Sequence, residues 1–387
     1  MKLLFELAQV IDRFAGEFEH LHVPNAYQRR TLSAIQRCRT AAMGGHVDRC
    51  DTCGHVRISY NSCRNRHCPK CQNTQREAWI DNRKADLLPV PYFHVVFTVP
   101  DRLNGLFLQY PVKMYNLLFA SAWDTIAQFA YTKLHAETGM VAMLHTWGQN
   151  LSLHPHLHCV VPGGGINYKG QWKQVNTSIN GKVFLFDVKN LSVVFRGKFK
   201  CGLQKLMPVD KPFISQLYND PWVVYAKEPF AGPEQVVEYL GRYTHKVAIS
   251  NHRILNIDDQ GVLFRYIDYR DNKQKTMLLQ GPEFLRRFCQ HILPRGFVRI
   301  RHYGLLSTAR RKQLTQLQLA FGIVVPEKKE RKNWKEICRQ HLNYNPDLCP
   351  CCGKGNMVTI EIFSRGRPPP HLLLISSENI NLKTFTP

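Results

Sequence analysis

Acidic residues are scarce in this chain of 387 residues: 29 Asp plus Glu stand against 52 Lys plus Arg, a formal charge of +23 at pH 7. An imbalance of that size implies a polyanionic partner, nucleic acid first and an anionic membrane surface second. Long apolar runs are missing too, and none approaches the roughly 20 residues of a membrane-spanning helix. The opening Met1 to Phe5 runs straight into Glu6 and Asp12 without the apolar core of a secretory signal. The thirteen cysteines are not dispersed as in a small secreted fold but sit largely in close pairs. That pattern argues against a disulfide scaffold and predicts a reducing cytoplasm and metal binding. Disorder is excluded by a composition 44% hydrophobic and 11% aromatic. The length allows two or three domains of about 100 to 200 residues.

The cysteines carry the first positive signal. Cys50-Asp51-Thr52-Cys53 and Cys68-Pro69-Lys70-Cys71 are two Cys-x2-Cys pairs separated by fourteen residues. Each pair turns tightly, and four thiolates complete a closed tetrahedron around Zn²⁺. Cys50, Cys53, Cys68 and Cys71 are the simplest ligand set, with Cys38, His46, Cys63 and His67 left over as substitutes or for a second ion. A closed site has no room for substrate, so its role is folding. Near the other end, Cys349-Pro350-Cys351-Cys352 is half of a second knuckle, with Cys349 and Cys352 as ligands and Cys338 and His341 as candidate partners.

Between these lies Leu153-His154-Pro155-His156-Leu157-His158-Cys159-Val160-Val161, closed by Pro162 and three glycines. A strand sends alternate side chains to one face, so His156 and His158 point the same way while Leu157 and Cys159 face the core. Two neutral imidazoles can share a divalent ion and leave positions open for water or a phosphate oxygen. The competing reading is a strand whose histidines are partly exposed or hydrogen-bonded in the core. No acidic residue lies near His156, which argues against an iron oxygenase, whose two histidines work beside a carboxylate. The run Tyr92 to Val99 reads as a buried strand, a helix follows from about Val112 to Leu134, and Met140 to Trp147 is a further strand. This order predicts an α+β fold with an antiparallel sheet and helices on one face.

Downstream, Pro233 opens a helical pattern that carries Tyr239 and Tyr243. Positions four apart on a helix stand one above the other, with β-carbons roughly 5 to 6 Å apart, so both phenols can visit one site. Helix packing alone is the simpler account of two such tyrosines. Joined to the histidine strand and the positive charge, they instead predict nucleophiles. An ion on His156 and His158 would hold a scissile phosphate for attack by a phenol, and phenolate leaves well enough to make the new bond reversible. Basic patches at Gln28 to Arg30, Arg295 to Arg301, Arg310 to Lys312 and Lys328 to Lys332 alternate with Phe297, Tyr303 and Trp334, as a groove for unpaired bases requires.

Together, Cys50 to Cys71, His154-Pro155-His156-Leu157-His158-Cys159-Val160-Val161-Pro162-Gly163-Gly164-Gly165 and Tyr239-Leu240-Gly241-Arg242-Tyr243-Thr244-His245 resemble the two-tyrosine HUH transposases of the insertion sequence ninety-one type. The likeness spans roughly residues 25 to 310. It implies a central antiparallel HUH sheet with flanking helices, preceded by a small zinc-binding domain. It also implies a bacterial, nucleoid-associated rolling-circle transposase acting on single-stranded DNA at element ends and on target DNA. Mg²⁺ or Mn²⁺ would sit on His156 and His158, with Gln149 favoured as third ligand ahead of His145 and His154. Tyr239 or Tyr243 would leave a 5′-phosphotyrosine and a free 3′-hydroxyl. The expected division is 1–87 for the helices and zinc module, 88–255 for the catalytic domain and 256–387 for a basic C-terminal region. The alternatives are a replication initiator or relaxase of the same chemistry and a non-enzymatic zinc-finger DNA binder.

Overall fold

The computed structural model describes residues 5–366 except 85, 176–177, 180–181, 221, 227–229, 231–234, 237–238, 240, 242–245, 269 and 325–331. Tyr243, the basic residues Lys328, Lys329 and Arg331 and the segment after 366 therefore lie outside the described residues. The chain opens with helices α1 (Leu7–Leu21) and α2 (Ala26–Gln36). Leu7, Val10, Ile11, Phe14 and Phe18 fall on one face of α1 and are buried, as the 3.6-residue period requires. Asn25 caps α2 by accepting from the Tyr27 and Gln28 backbone N–H groups. A hairpin of β1 (Gly45–Cys50) and β2 (Val56–Tyr60) follows, and then helix α3 (Gln72–Lys84).

The centre is a five-stranded, wholly antiparallel sheet. Its order is Val224–Ala226, β3 (Tyr92–Thr98), then the histidine strand Leu153–Pro162, then β4 (Gly139–Trp147), then Ile300–Gly304. The histidine strand, β5, is thus the central one. Phe93, Val95, Phe97, Ala142, Leu144, Leu157, Cys159 and Val161 alternate onto one face. They form the main core with helices α4 (Asn104–Gln109), α5 (Pro111–Phe129) and α6 (Val188–Leu206). A mixed α+β fold with flanking helices is the result. Among the described residues no helix is long and apolar enough to cross a membrane.

Packing crosses the expected boundaries at 87 and 255. Helix α1 packs on the helix Gly281–Gln290, sharing a core with the three-stranded sheet over residues 254–279. Strand Ile300–Gly304 completes the central sheet, and strand Met357–Phe363 pairs with β1. The physical reason is edge coverage: β1 and β4 each have an open side that a late strand fills with backbone hydrogen bonds.

His291, at the end of the 281–290 helix, is 1% exposed; it pairs with the Thr146 hydroxyl and donates to the Leu151 carbonyl from Nε2. Burial pushes its imidazole down to about 4. In the unfolded chain the ring takes up a proton near pH 6.5, before the folded ring does, so stability is lost as pH falls from about 6.5 toward 4. Denaturant unfolding should show a loss of about 1.4 kcal/mol per pH unit from this group in that window. A slope no shallower in His291→Asn would refute the assignment.

Candidate active site

The face of the central sheet opposite the main core carries the imidazoles. On β5 the residues that alternate with Leu157 and Cys159 are His156 and His158. Register places His145 of β4 directly opposite His156, and Val96 of β3 opposite His158. The ligand atoms of His145, His156 and His158 all lie within 4.8 Å of one another, a gap that small side-chain rotations close onto one ion. The ladder between β4 and β5 is irregular here: His145 pairs with His156 and Trp147 with Leu153, so His154 and Pro155 together face Thr146. Pro155 cannot donate to a ladder, and a bulge is where a sheet tolerates it.

Hydrogen bonds set the ring orientations. His156 Nδ1 lies 2.7 Å from the His154 carbonyl oxygen, which only accepts, so Nδ1 carries the proton and Nε2 keeps its lone pair. His158 Nδ1 lies 2.9 Å from Nε2 of His94, a buried histidine of β3 whose ring stacks on His158. Burial lowers His156 to about 4 and carries His158 well below 6.5. Both rings are therefore neutral, with lone pairs available, at pH 7.

Tyr239 joins this cluster through His94. Its Oη lies 3.3 Å from His94 Nδ1, and the two rings meet edge to face at 5.0 Å. Gln235, Val236, Tyr239 and Gly241 are helical, and Val236 is buried in a small core with Tyr92, Val141 and Val160 on the histidine face. Gly241 admits the side chain of Ile80 from α3 so closely that a Cβ there would overlap it.

The three imidazoles that lie together are those of His145, His156 and His158. Gln149 lies in the exposed turn after β4, where its backbone carbonyl accepts from Arg253. Strand alternation is what aims His145, the residue ranked behind Gln149, at the other two rings. His154 stays outside that cluster, with Nδ1 3.7 Å from Asp101. His94 was hidden in an apolar strand, one polar residue among β-branched and aromatic neighbours; its parity with Val96 and Thr98 was the only signal.

The cysteines are likewise regrouped. Cys50, Cys53, Cys68 and Cys71 do not meet; they divide between two clusters of four. Cys68 and Cys71 join Cys38 and Cys63, with Sγ separations of 3.4 Å for Cys38 to Cys71 and 3.7 Å for Cys63 to Cys71. Four sulfurs about 2.3 Å from a tetrahedral zinc stand about 3.8 Å apart, so this donor set fits Zn²⁺. Cys50 and Cys53 instead meet Cys349 and Cys352. Cys338 and His341 belong to neither group; His341 Nε2 lies 2.9 Å from Asp81 Oδ2. Pairing of β1 with a strand near the other end of the described chain brings the distant cysteines together, and no local spacing encodes that.

A region of clustered cysteines lies beside a sheet of convergent imidazoles and a tyrosine, and comparison with known proteins puts the chain among zinc-binding transposases. Two family comparisons agree: residues 10–99 match the family described as “Transposase zinc-binding domain”, and residues 139–313 that described as “Putative transposase”. A protein of Sinorhizobium fredii carrying the second description is 43% identical, over 94% of this chain and 97% of its own length. The transposase for insertion sequence element IS801 of Pseudomonas savastanoi pv. phaseolicola is 27% identical, over 86% of this chain and 83% of its own. No solved structure matches the chain significantly. The chain belongs to the transposase family of the insertion sequence ninety-one type.

Proposed function

We propose that this transposase cleaves and rejoins single-stranded DNA at the ends of its element through a 5′-phosphotyrosine, as rolling-circle transposition requires, with Tyr239 as a nucleophile. The observation that carries the reading is the hydrogen-bonded line from Tyr239 through His94 to His158. His145, His156 and His158 would hold a divalent ion that neutralises charge on the scissile phosphate. Of Mg²⁺ and Mn²⁺, the second accepts nitrogen donors more readily.

The chain's own residues then order the phenol. A His158 that offers Nε2 as a ligand keeps its proton on Nδ1 and donates it to His94 Nε2. His94 in turn keeps its proton on Nδ1 and donates to the Tyr239 oxygen, which leaves an oxygen lone pair and the phenol proton free of that bond. Tyr239 Oη forms a bond to phosphorus while the bond from phosphorus to the 3′-oxygen breaks. The phenol proton is released and the 3′-oxygen gains one, giving a free 3′-hydroxyl; attack by a 3′-hydroxyl on the phosphotyrosine reverses the sequence. Tyr243, the second tyrosine of the pattern, would hold a second strand, as joining an element end to target DNA demands.

For the DNA strand, a groove of about 690 Å³ lies along the edge strand and is lined by Arg295, Phe297, Arg301 and Tyr303 among others. The Arg301 guanidinium lies 4.2 Å from the Phe119 ring centroid. The cations of this groove suit a phosphate backbone, whereas Phe119 and Phe297 are buried in the main core. Incubation of the protein with a labelled single strand from an element end and Mn²⁺ should give a protein-linked product. In Tyr239→Phe with Tyr243→Phe that product should disappear. An adduct undiminished in the double variant, or mapped by mass spectrometry to another residue, would overturn the proposal.

A further inference from the structure

We propose that Cys50, Cys53, Cys349 and Cys352 form a second closed zinc site that clasps the N-terminal hairpin to the C-terminal knuckle. Cys349 and Cys352 lie outside both segments that match transposase families. The four sulfurs interleave: Cys50 Sγ stands 3.8 Å from Cys352 Sγ, and Cys53 Sγ 3.6 Å from Cys349 Sγ. These are the edges of a thiolate tetrahedron around zinc, about 3.8 Å, and far beyond the roughly 2.05 Å of a disulfide.

The backbone repeats the same turn on both sides. Gly54 N–H donates to the Cys50 carbonyl at 3.2 Å, and Gly353 N–H donates to that of Cys349 at 3.0 Å. Both glycines take positive φ, +70° and +64°, a conformation that other residues enter at a cost. Amide groups then aim at sulfur: Cys53 N–H at Cys50 Sγ (3.5 Å), Cys351 N–H at Cys349 Sγ (3.4 Å) and Gly355 N–H at Cys352 Sγ (3.3 Å). Donors arranged this way stabilise thiolates, the form that binds a metal. Four soft sulfurs with no open position select zinc and a structural role.

Everything around the site is arranged as a fastening. Strand Met357–Phe363 lies on β1, and the Thr359 hydroxyl donates to Asp48 Oδ1 at 2.8 Å. Asp48 is buried; burial opposes its charge, but hydrogen bonds from His46, Thr359 and Arg57 outweigh that and hold it well below the usual carboxylate range. The helix Trp334–His341 packs on α3, where Lys332 and His341 both meet Asp81. Helix α3 is also the one whose Ile80 fits against Gly241.

Full-length protein, desalted over a chelating resin, should contain two zinc ions per chain by mass spectrometry. Cys349→Ser with Cys352→Ser should contain one, and limited proteolysis should release its C-terminal 40 to 60 or so residues while the rest stays intact. Cys351→Ser changes an exposed thiol of the same turn that is outside the cluster, and should keep both ions. Should the double variant fail to fold, Cys352→His supplies the conservative test: it should retain two ions, and after Co²⁺ replacement its thiolate-to-cobalt absorption should fall by about one part in eight, a single sulfur lost out of two four-sulfur sites. One zinc in the parent protein, or the same zinc content in the Cys349→Ser, Cys352→Ser protein as in the parent, would overturn the proposal. Neither outcome depends on the DNA chemistry.

Discussion

His158→Ala should lower the rate of protein–DNA adduct formation by roughly 10³-fold at saturating Mn²⁺, because it removes both a proposed ligand and the link to His94. The estimate takes the ion's contribution to the attack as about 4 kcal/mol, with each 1.36 kcal/mol worth tenfold. His94→Ala should behave differently. It leaves the three histidines proposed as ligands in place but removes the partner that lies 2.9 Å from His158 and 3.3 Å from Tyr239. Loss of such a partner costs about 10- to 100-fold in metal affinity or activity. The half-saturating Mn²⁺ concentration should therefore rise in His94→Ala, and a deficit should persist at saturation because the phenol is no longer held. A Mn²⁺ titration of adduct formation separates the two variants; superposition of His94→Ala on the parent curve would remove His94 from the mechanism.

The second large effect is expected at the other zinc site. Cys68→Ser should cost the protein one zinc ion and the fold of its N-terminal region. Cys38, Cys68 and Cys71 are buried in one core with Phe18, Leu32, Ile249 and Phe284, so the ion and that core stand or fall together. Structural zinc in small modules contributes about 10 to 16 kcal/mol of apparent binding energy at pH 7, more than a typical domain's whole stability of about 5 to 15 kcal/mol. Thermal unfolding and zinc content measured on the same sample are the check. A variant with full zinc and an unchanged melting temperature would show that Cys68 is not a ligand. Because α1 packs on the 281–290 helix, the damage should extend to hydrogen exchange in the 254–290 segment, far away in sequence.

The amino-acid sequence by itself determined the local pieces. Period-two alternation in β5 put His156 and His158 on one face and Leu157 and Cys159 in the core, and the structure has that arrangement. Two Cys-x2-Cys turns, the amphipathic α1 and the buried strand from Tyr92 were equally readable, since each depends on neighbours a few residues apart. What only the tertiary structure decided was which distant pieces share a site. His145 stands at the site because strand register, set by hydrogen bonds between stretches far apart in sequence, chooses the residue opposite His156. His94 entered for the same reason, from the strand on the other side. Cys50 and Cys53 parted from Cys68 and Cys71 because β1 takes its third strand from residues 357–363, a pairing across three hundred residues of chain that no spacing rule reports. Alternation is a property of one backbone; register and partner choice are properties of the packed whole.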